Sequence, residues 1–204
     1  LQAAGPATRI KAPAKVETRD TQFRKRPRKE ATAVYPLAGL DKRAFEWTFD
    51  LAAEGDGMYS ACEIAIESQD GKTGVAVHVK REENTPHPYI TLRSVGATGQ
   101  LSAEWIPLPI ERNTPLRLRL LCQPSQSVRL AIATPSGQPL WDTGAVPLYG
   151  PVEIERARFS IMSKEAPSIE WNTARDGLRL SGDTDQGKPL TLLVSNTAVR
   201  ALAP

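Results

Sequence analysis

The sequence predicts an all-β fold, a two-sheet antiparallel jelly-roll sandwich that follows an irregular, basic N-terminal arm. Three observations predict it. From Ala44 onward, apolar and polar residues alternate with a period of two. Gly, Pro, Asn, Asp and Ser interrupt this alternation at short intervals, and no stretch has a helical period. A length of 204 residues suits one sandwich domain with some additional chain.

The clearest predicted strand begins at Ala44, where four apolar residues alternate with Glu, Thr and Asp over 45–51. Turn residues follow at 54–57. The same alternation recurs between later turns and predicts about ten or eleven strands in all. The further strands are predicted at 58–68, 75–80, 89–95, 101–106, 116–122, 128–133, 152–162, 169–171, 178–180 and 190–194, and the apolar pair 140–141 follows a turn at 135–137.

The predicted arm, 1–40, lacks hydrophobic periodicity and contains three prolines within its first 34 residues. Such a segment buries too little apolar area to offset its ordering entropy, so we expect a linker or a surface arm whose removal leaves stability nearly unchanged. The jelly roll is assigned to 41–182. A C-terminal extension with one strand is assigned to 183–204.

The basic pI near 9.0 comes from the arm. Residues 1–34 contain nine Lys or Arg and three Asp or Glu, whereas the rest of the chain is mildly acidic. This asymmetry disfavours a basic face on the domain, so nucleic acid is not an expected partner. No apolar run is long enough to span a membrane. The first residues, 1–7, resemble what remains after a removed export signal and favour an extracytoplasmic protein.

The chain has two cysteines, Cys62 and Cys122. Their spacing excludes a CxxC redox or zinc motif. Both alternate with polar residues on the apolar side of a predicted strand. A disulfide in an oxidising compartment and two separate buried thiols therefore both remain open.

Three segments resemble the concanavalin A-like lectin/glucanase superfamily, particularly its laminin-G-like jelly rolls. They are 45–49 with the later strand 63–66, the strand pair 116–122 and 128–133 leading into 137–141, and 158–161 with 169–171. The resemblance covers roughly residues 44–180. It implies a curved sheet with one face that often holds a glycan.

Glu63-Ile64-Ala65-Ile66-Glu67 is similar to the E-x-D-x-E strand of retaining glucanases with this fold. In those enzymes one Glu attacks and the other donates a proton, which requires carboxyl groups about 5–5.5 Å apart. Here Ala65 replaces the middle carboxylate, and the strand comes early in the domain. Glu63 and Glu67 are therefore weak catalytic candidates, and an ordinary strand with an acidic face is the alternative.

The polar faces of the central strands provide the candidate ligand site. We hypothesise that these faces adjoin and bind an anionic saccharide, with Glu63 and Glu67 as competing ion-pair partners. The alternative is a solvent-facing sheet stabilised by cross-strand ion pairs. Two tryptophans near strand ends are candidates for exposed, sugar-binding rings. The candidate binding residues are Arg117, Arg119, Arg129, Tyr89, His78, Trp105 and Trp141.

No metal or cofactor motif is complete. Neither histidine has a partner at metal-ligand spacing. Acidic turns at 54–57 and 183–187 offer oxygen ligands for calcium, but neither matches the twelve-residue calcium loop. We expect no cofactor, with calcium as the alternative.

The sequence therefore predicts a non-catalytic, lectin-like domain of an exported protein that binds a glycan or a protein partner. A glycan-cleaving enzyme that uses Glu63 and Glu67 is the first alternative. A purely structural domain of a larger assembly is the second.

Overall fold

A computed structural model describes residues 7–13, 15–23, 25–37, 40, 43–55, 61–80, 88–95, 106–109, 111–123, 126–148, 150, 152–183 and 189–203. In these residues the chain forms sixteen β-strands and no helix. No described helix could therefore cross a membrane. The strands are β1 (Thr8–Arg9), β2 (Val16–Phe23), β3 (Arg26–Pro36), β4 (Phe45–Ala53), β5 (Ala61–Glu67), β6 (Gly74–Lys80), β7 (Tyr89–Val95), β8 (Ile106–Pro109), β9 (Leu116–Gln123), β10 (Ser127–Ala133), β11 (Pro139–Asp142), β12 (Val146–Pro147), β13 (Arg156–Ser163), β14 (Ser168–Asn172), β15 (Gly177–Gly182) and β16 (Leu190–Ala201).

The strands form two antiparallel sheets, which confirms the predicted two-sheet sandwich. The nine-stranded sheet has the order β11-β10-β9-β4-β16-β15-β14, with β1 paired to β16 and β12 paired to β10. The seven-stranded sheet has the order β2-β3-β13-β5-β6-β7-β8. Consecutive strands form hairpins at the sheet edges, whereas the central pairs β9-β4, β4-β16, β3-β13 and β13-β5 join segments distant in sequence, a pattern typical of a jelly roll.

The core lies between the two sheets. Alternate residues of each strand point inward, as the period of two requires. Trp47 and Phe159 come from opposite sheets and meet edge to face at 6.0 Å between ring centroids. Cys62 and Cys122 are both buried as free thiols, one in each sheet, so the structure favours separate thiols over a bridge. Burial raises the pKa of each thiol to about 12.

The prediction that residues 1–40 form an irregular arm is wrong. Strands β2 and β3 form a hairpin, and residues 29–36 of β3 pair with the whole length of β13 inside the seven-stranded sheet. Ala31 and Ala33 are fully buried, and Ile10 belongs to the same core. The many charges of this segment hid an alternation in which the inward residues are small alanines. Pairing of β3 with the edge of β13 and burial of these alanines in the core outweighed the low intrinsic strand preference of alanine.

The last strand also differs from its predicted place outside the sandwich. The expected strand at 190–194 extends to Ala201 and becomes β16. It lies between β4 and β15 in the nine-stranded sheet. Leu190, Leu192 and Val194 are at most 1% exposed. Strand β16 is therefore part of the sandwich core.

Candidate functional site

The residues of the predicted binding face do not lie on one surface. Arg117 and Arg119 are on β9 and Arg129 is on β10, in the nine-stranded sheet. Tyr89 and His78 are on β7 and β6, in the seven-stranded sheet. The prediction of a shared face is wrong because consecutive groups of strands enter different sheets. Alternation along one strand shows which side a residue takes but not which strands are its neighbours.

Each arginine of the predicted trio has a carboxylate partner on its own sheet. Arg117 Nε and Nη2 donate to the Asp50 oxygens at 2.8 and 3.0 Å. Arg119 donates to Glu46, which also accepts from Arg200. The outer face of the nine-stranded sheet is therefore crossed by ion pairs, as the alternative interpretation expected.

The third arginine of the trio, Arg129, pairs with Asp142. Its Nε donates to Asp142 Oδ1 at 2.9 Å, and its Nη2 donates to Asp142 Oδ2 at 2.5 Å. The expected carboxylate partners Glu63 and Glu67 lie on the other sheet, so that part of the prediction is also wrong. Each guanidinium of the trio therefore already bonds a carboxylate, and none is left unpaired for an anionic ligand.

The other predicted binding residues are not an open platform either. Tyr89 is 4% exposed and His78 is 8% exposed. Trp141 is partly buried against the core, on the same side of the sheet as Ile132. Trp105 lies outside the described residues.

Burial makes His78 a pH-sensitive group. Desolvation, with a smaller contribution from the charge of Lys80, lowers the pKa of His78 to about 4. The unfolded chain binds a proton near pH 6.5 and the folded protein does not, so stability falls as the pH drops from about 6.5 through 4. We expect His78 to account for about 2–4 kcal/mol of that loss.

Urea unfolding of the wild type and His78→Gln between pH 7.5 and 4 checks this expectation. The difference in unfolding free energy between the two proteins should change as the pH falls from about 6.5 to about 4, and it should be nearly constant above about pH 6.5. Equal slopes for both proteins would show that His78 does not carry the effect.

A second charged network lies on the outer face of the seven-stranded sheet. Glu67 on β5 is 1% exposed and accepts hydrogen bonds from two arginines of β13. Arg156 Nε and Nη2 donate to Glu67 Oε1 at 2.9 and 2.7 Å. Arg158 Nε donates to Glu67 Oε2 at 2.9 Å. A buried carboxylate is stable only when it is paired in this way.

Arg158 connects the two candidate catalytic carboxylates. Besides bonding Glu67, it donates through Nη2 to Glu63 and through Nη1 to Ser160 Oγ at 2.9 Å. Glu63 also accepts from Arg93 on β7. The register places Arg158 directly beside Ala65. A guanidinium therefore occupies the space between Glu63 and Glu67 that a retaining glycosidase leaves for the sugar.

A cleft of about 530 Å³ opens beside this network, and we call it the ion-pair cleft. It contains five carboxylates, three guanidiniums and no aromatic ring among its described lining residues. The lining residues are Glu17, Thr18, Arg19, Glu30, Thr32, Val34, Glu63, Glu67, Asp70, Gly71, Arg156 and Arg158. Three of these carboxylates also pair with cations outside the lining, Glu17 with Lys15, Asp70 with Lys72 and Glu63 with Arg93. Each guanidinium of the lining already has a carboxylate partner, and this disfavours an added anionic ligand.

The turn at Asp70-Gly71 forms one rim of the ion-pair cleft. Gly71 has φ 68°, and a Cβ there would come within 3.2 Å of Arg156 Nη2, so glycine lets the turn approach the guanidinium. Hydrogen bonds from Lys72 and Ser68 lower the pKa of Asp70. Asp70 is therefore a charged acceptor at the edge of the cleft.

Neither predicted calcium turn forms a recognisable site in the described part of the chain. Glu54 Oε2 accepts a hydrogen bond from Arg179 Nε at 3.1 Å. Residues 56–57 and 184–187 lie outside the described residues. Among the residues that are described, no group of three or more His, Cys, Asp or Glu could hold a metal ion.

Sequence reasoning missed half of the ion-pair cleft. Arg156 and Arg158 alternate with apolar residues on a predicted strand, so the sequence indicates that both side chains face outward. The sequence does not show that their strand pairs with β5, because this pairing joins residues about ninety positions apart. Glu17, Arg19 and Glu30 were assigned to the arm and so were not considered.

Neither a protein-family model nor a curated protein matches the sequence. Solved structures do match the fold. The carbohydrate recognition domain of Emp47p aligns over 95% of this chain and 91% of its own, with 8% identity and a TM-score of 0.52. This chain therefore has a two-sheet jelly-roll fold like that of the carbohydrate recognition domain.

Two further structures resemble this jelly-roll domain with lower TM-scores. The carbohydrate-binding module CBM66 from Bacillus subtilis is 12% identical, with coverage of 91% of this chain and 95% of its own and a TM-score of 0.46. A tetrameric galectin from Cinachyrella sp. is 11% identical, with coverage of 84% and 99% and a TM-score of 0.42. At 8% identity, the match to the Emp47p domain shows the fold only.

Proposed function

We propose that this chain is a non-catalytic glycan-binding domain that acts outside the cytoplasm and binds a neutral saccharide in the ion-pair cleft. The observation that carries the proposal is a polar cleft whose charged groups are held by one another on adjacent strands. Arg156 and Arg158 are each fixed by at least two hydrogen bonds. Such groups are oriented before a ligand arrives, so little further ordering is needed on binding.

The chemistry of the cleft suits sugar hydroxyl groups. Arg19 is 74% exposed in its side chain, and Asp70 is 53% exposed. Carboxylates accept and guanidiniums donate hydrogen bonds, so together they can bond neighbouring hydroxyls in both senses. Because carboxylates already pair with all three guanidiniums of the cleft, we expect a neutral saccharide at this site and not the anionic one that the sequence suggested. The Emp47p match supports the proposal at the level of fold.

Hydrolysis is the weaker alternative. Glu67 is held by two guanidiniums and Glu63 by two. A general acid or a nucleophile must reach the bond that is cleaved, and the arginines already occupy the oxygens of both carboxylates. A purely structural domain of a larger assembly would neither bind nor hydrolyse a glycan. A screen for glycan binding therefore distinguishes this alternative from the proposal.

A glycan array followed by calorimetry tests the site with a matched pair of blocking variants. Thr32 and Thr48 are both half-buried and face outward, but on opposite sheets. Thr32→Trp should fill the ion-pair cleft and abolish binding of a neutral oligosaccharide found on the array. Thr48→Trp should retain binding, because it lies on the nine-stranded sheet.

Three outcomes contradict the proposal. If Thr32→Trp binds as well as the wild type, the ligand site is elsewhere. If no neutral saccharide binds, the structural alternative is favoured. If the wild type releases reducing ends from a polysaccharide and Glu67→Gln does not, the domain is an enzyme.

A further inference from the structure

The nine-stranded sheet contains a cavity where β16 changes its partner. Along one edge β16 pairs first with β15 and then, beyond an irregularity in register, with the short strand β1. The residues at the break are Asn196 and Thr197. Asn196 has φ 51°, an uncommon conformation for a residue with a side chain. The gap between β15 and β1 opens the cavity over this bulge.

The cavity has a volume of about 440 Å³, which is within the range of small-molecule sites. It differs from the ion-pair cleft because an aromatic ring lines it. Trp171 on β14 packs partly against the core, and it also lines the cavity. The other lining residues are Arg9, Ile10, Lys11, Ala12, Asp176, Asn196, Thr197 and Ala198.

The charged groups of this cavity form no ion pairs with described residues, in contrast to the arginines elsewhere on this face. Arg9 and Lys11 form no ion pair with any described residue, and neither does Asp176. Five other arginines on the outer face of this sheet each pair with a carboxylate. Those arginines are Arg117, Arg119, Arg129, Arg179 and Arg200.

Asn196 adds an oriented acceptor to these groups. Its Nδ2 donates to Asp50 Oδ2 at 2.7 Å, and this bond leaves its Oδ1 as an acceptor. The cavity thus combines an aromatic ring, two cations that no carboxylate neutralises and two acceptors, one from Asp176 and one from Asn196.

We propose that this cavity is a second binding site that takes a carboxylated sugar, a hexuronate unit of an acidic polysaccharide. The apolar face of the pyranose ring packs on Trp171, the sugar carboxylate pairs with Arg9 and Lys11, and hydroxyls donate to Asp176 and Asn196. An inorganic anion would use the cations alone, and a neutral sugar would leave them unpaired. The site uses none of the residues of the ion-pair cleft, so it stands or falls separately from the proposed function.

NMR titration of the full chain with tri-galacturonate, and with galactotriose of the same linkage, tests the ligand class. We expect tri-galacturonate to bind at least tenfold more tightly, because the two trisaccharides differ only at the carboxylates that Arg9 and Lys11 would contact. The indole N–H signal of Trp171 should shift on binding. The signal of Trp47 is the internal control, since this ring is fully buried in the core.

A double variant with a matched control tests the cations. Arg9→Gln/Lys11→Gln should weaken tri-galacturonate binding tenfold or more and leave galactotriose unaffected. Arg26→Gln/Lys29→Gln removes the same charge from exposed positions of β3 and should have no effect on either. Equal losses in both double variants would show nonspecific charge attraction and overturn the proposal. The proposal would also be overturned if Arg9→Gln/Lys11→Gln left tri-galacturonate binding unchanged, or if the two trisaccharides bound equally tightly. It would likewise be overturned if the indole N–H signal of Trp171 did not shift on binding.

Discussion

Removal of residues 1–36 is expected to prevent folding or to lower the Tm by more than ten degrees. This deletion takes away β2 and β3 and leaves the edge of β13 unpaired along its full length. It also removes Ala31 and Ala33 from the core and Tyr35 from its edge-to-face contact with Phe159. A 1 kcal/mol loss shifts the Tm of a domain of this size by about 2–4 °C, and losing an internal strand costs several times that. Circular dichroism melting measures the effect.

Removal of residues 1–6 alone is the control for this deletion. It leaves every described strand and core residue in place, so the Tm should stay within about 2 °C of the wild type. A protein without residues 1–36 that melts like the full chain would show that β3 is dispensable, as the sequence pattern first suggested.

Replacement of Glu67 by alanine is expected to destabilise the domain by about 3 kcal/mol. The substitution removes a carboxylate that is 1% exposed and takes from Arg156 its ion-pair partner among the described residues. Breaking a buried pair from one side typically costs about 3–5 kcal/mol, because the remaining charge stays partly buried. The side chain of Arg156 is 21% exposed, so water reaches it and the lower value applies. Urea unfolding with a constant m-value measures the change.

Glu54→Ala is the matched control for Glu67→Ala. Glu54 also pairs with an arginine, but its side chain is 28% exposed and that of Arg179 is 45% exposed. Solvent screening limits such surface pairs to about 0–1 kcal/mol. Similar losses in the two variants would mean that burial does not strengthen the Glu67 network.

The strands after residue 44 could be predicted because their inward residues are large. Phe45, Trp47 and Phe49 alternate with polar residues, and all three are at most 1% exposed. Strand β3 escaped prediction because its inward residues include Ala31 and Ala33, whose small side chains give little periodic contrast among charges. Residue volume, more than burial, therefore decided which strands were recognised.

The candidate site shows the same limit. The outward direction of Glu63, Glu67 and Arg158 follows from alternation along each strand. The sequence does not indicate that Arg158 reaches both carboxylates, because β13 joins β5 only after the chain has passed through the other sheet. The prediction that Arg117 and Arg129 pair with Glu63 is wrong for the same reason.

By itself, the sequence determined the all-β class, the two-sheet sandwich and the inward or outward side of most residues from Phe45 to Val194. These properties depend on a local period of two, which every strand carries in its own residues. Only the tertiary structure decided which strands are neighbours, where β3 and β16 belong, and which charges neutralise one another. Strand pairing joins distant segments through backbone hydrogen bonds that are nearly the same for any sequence, so the collective packing of the core selects the partners.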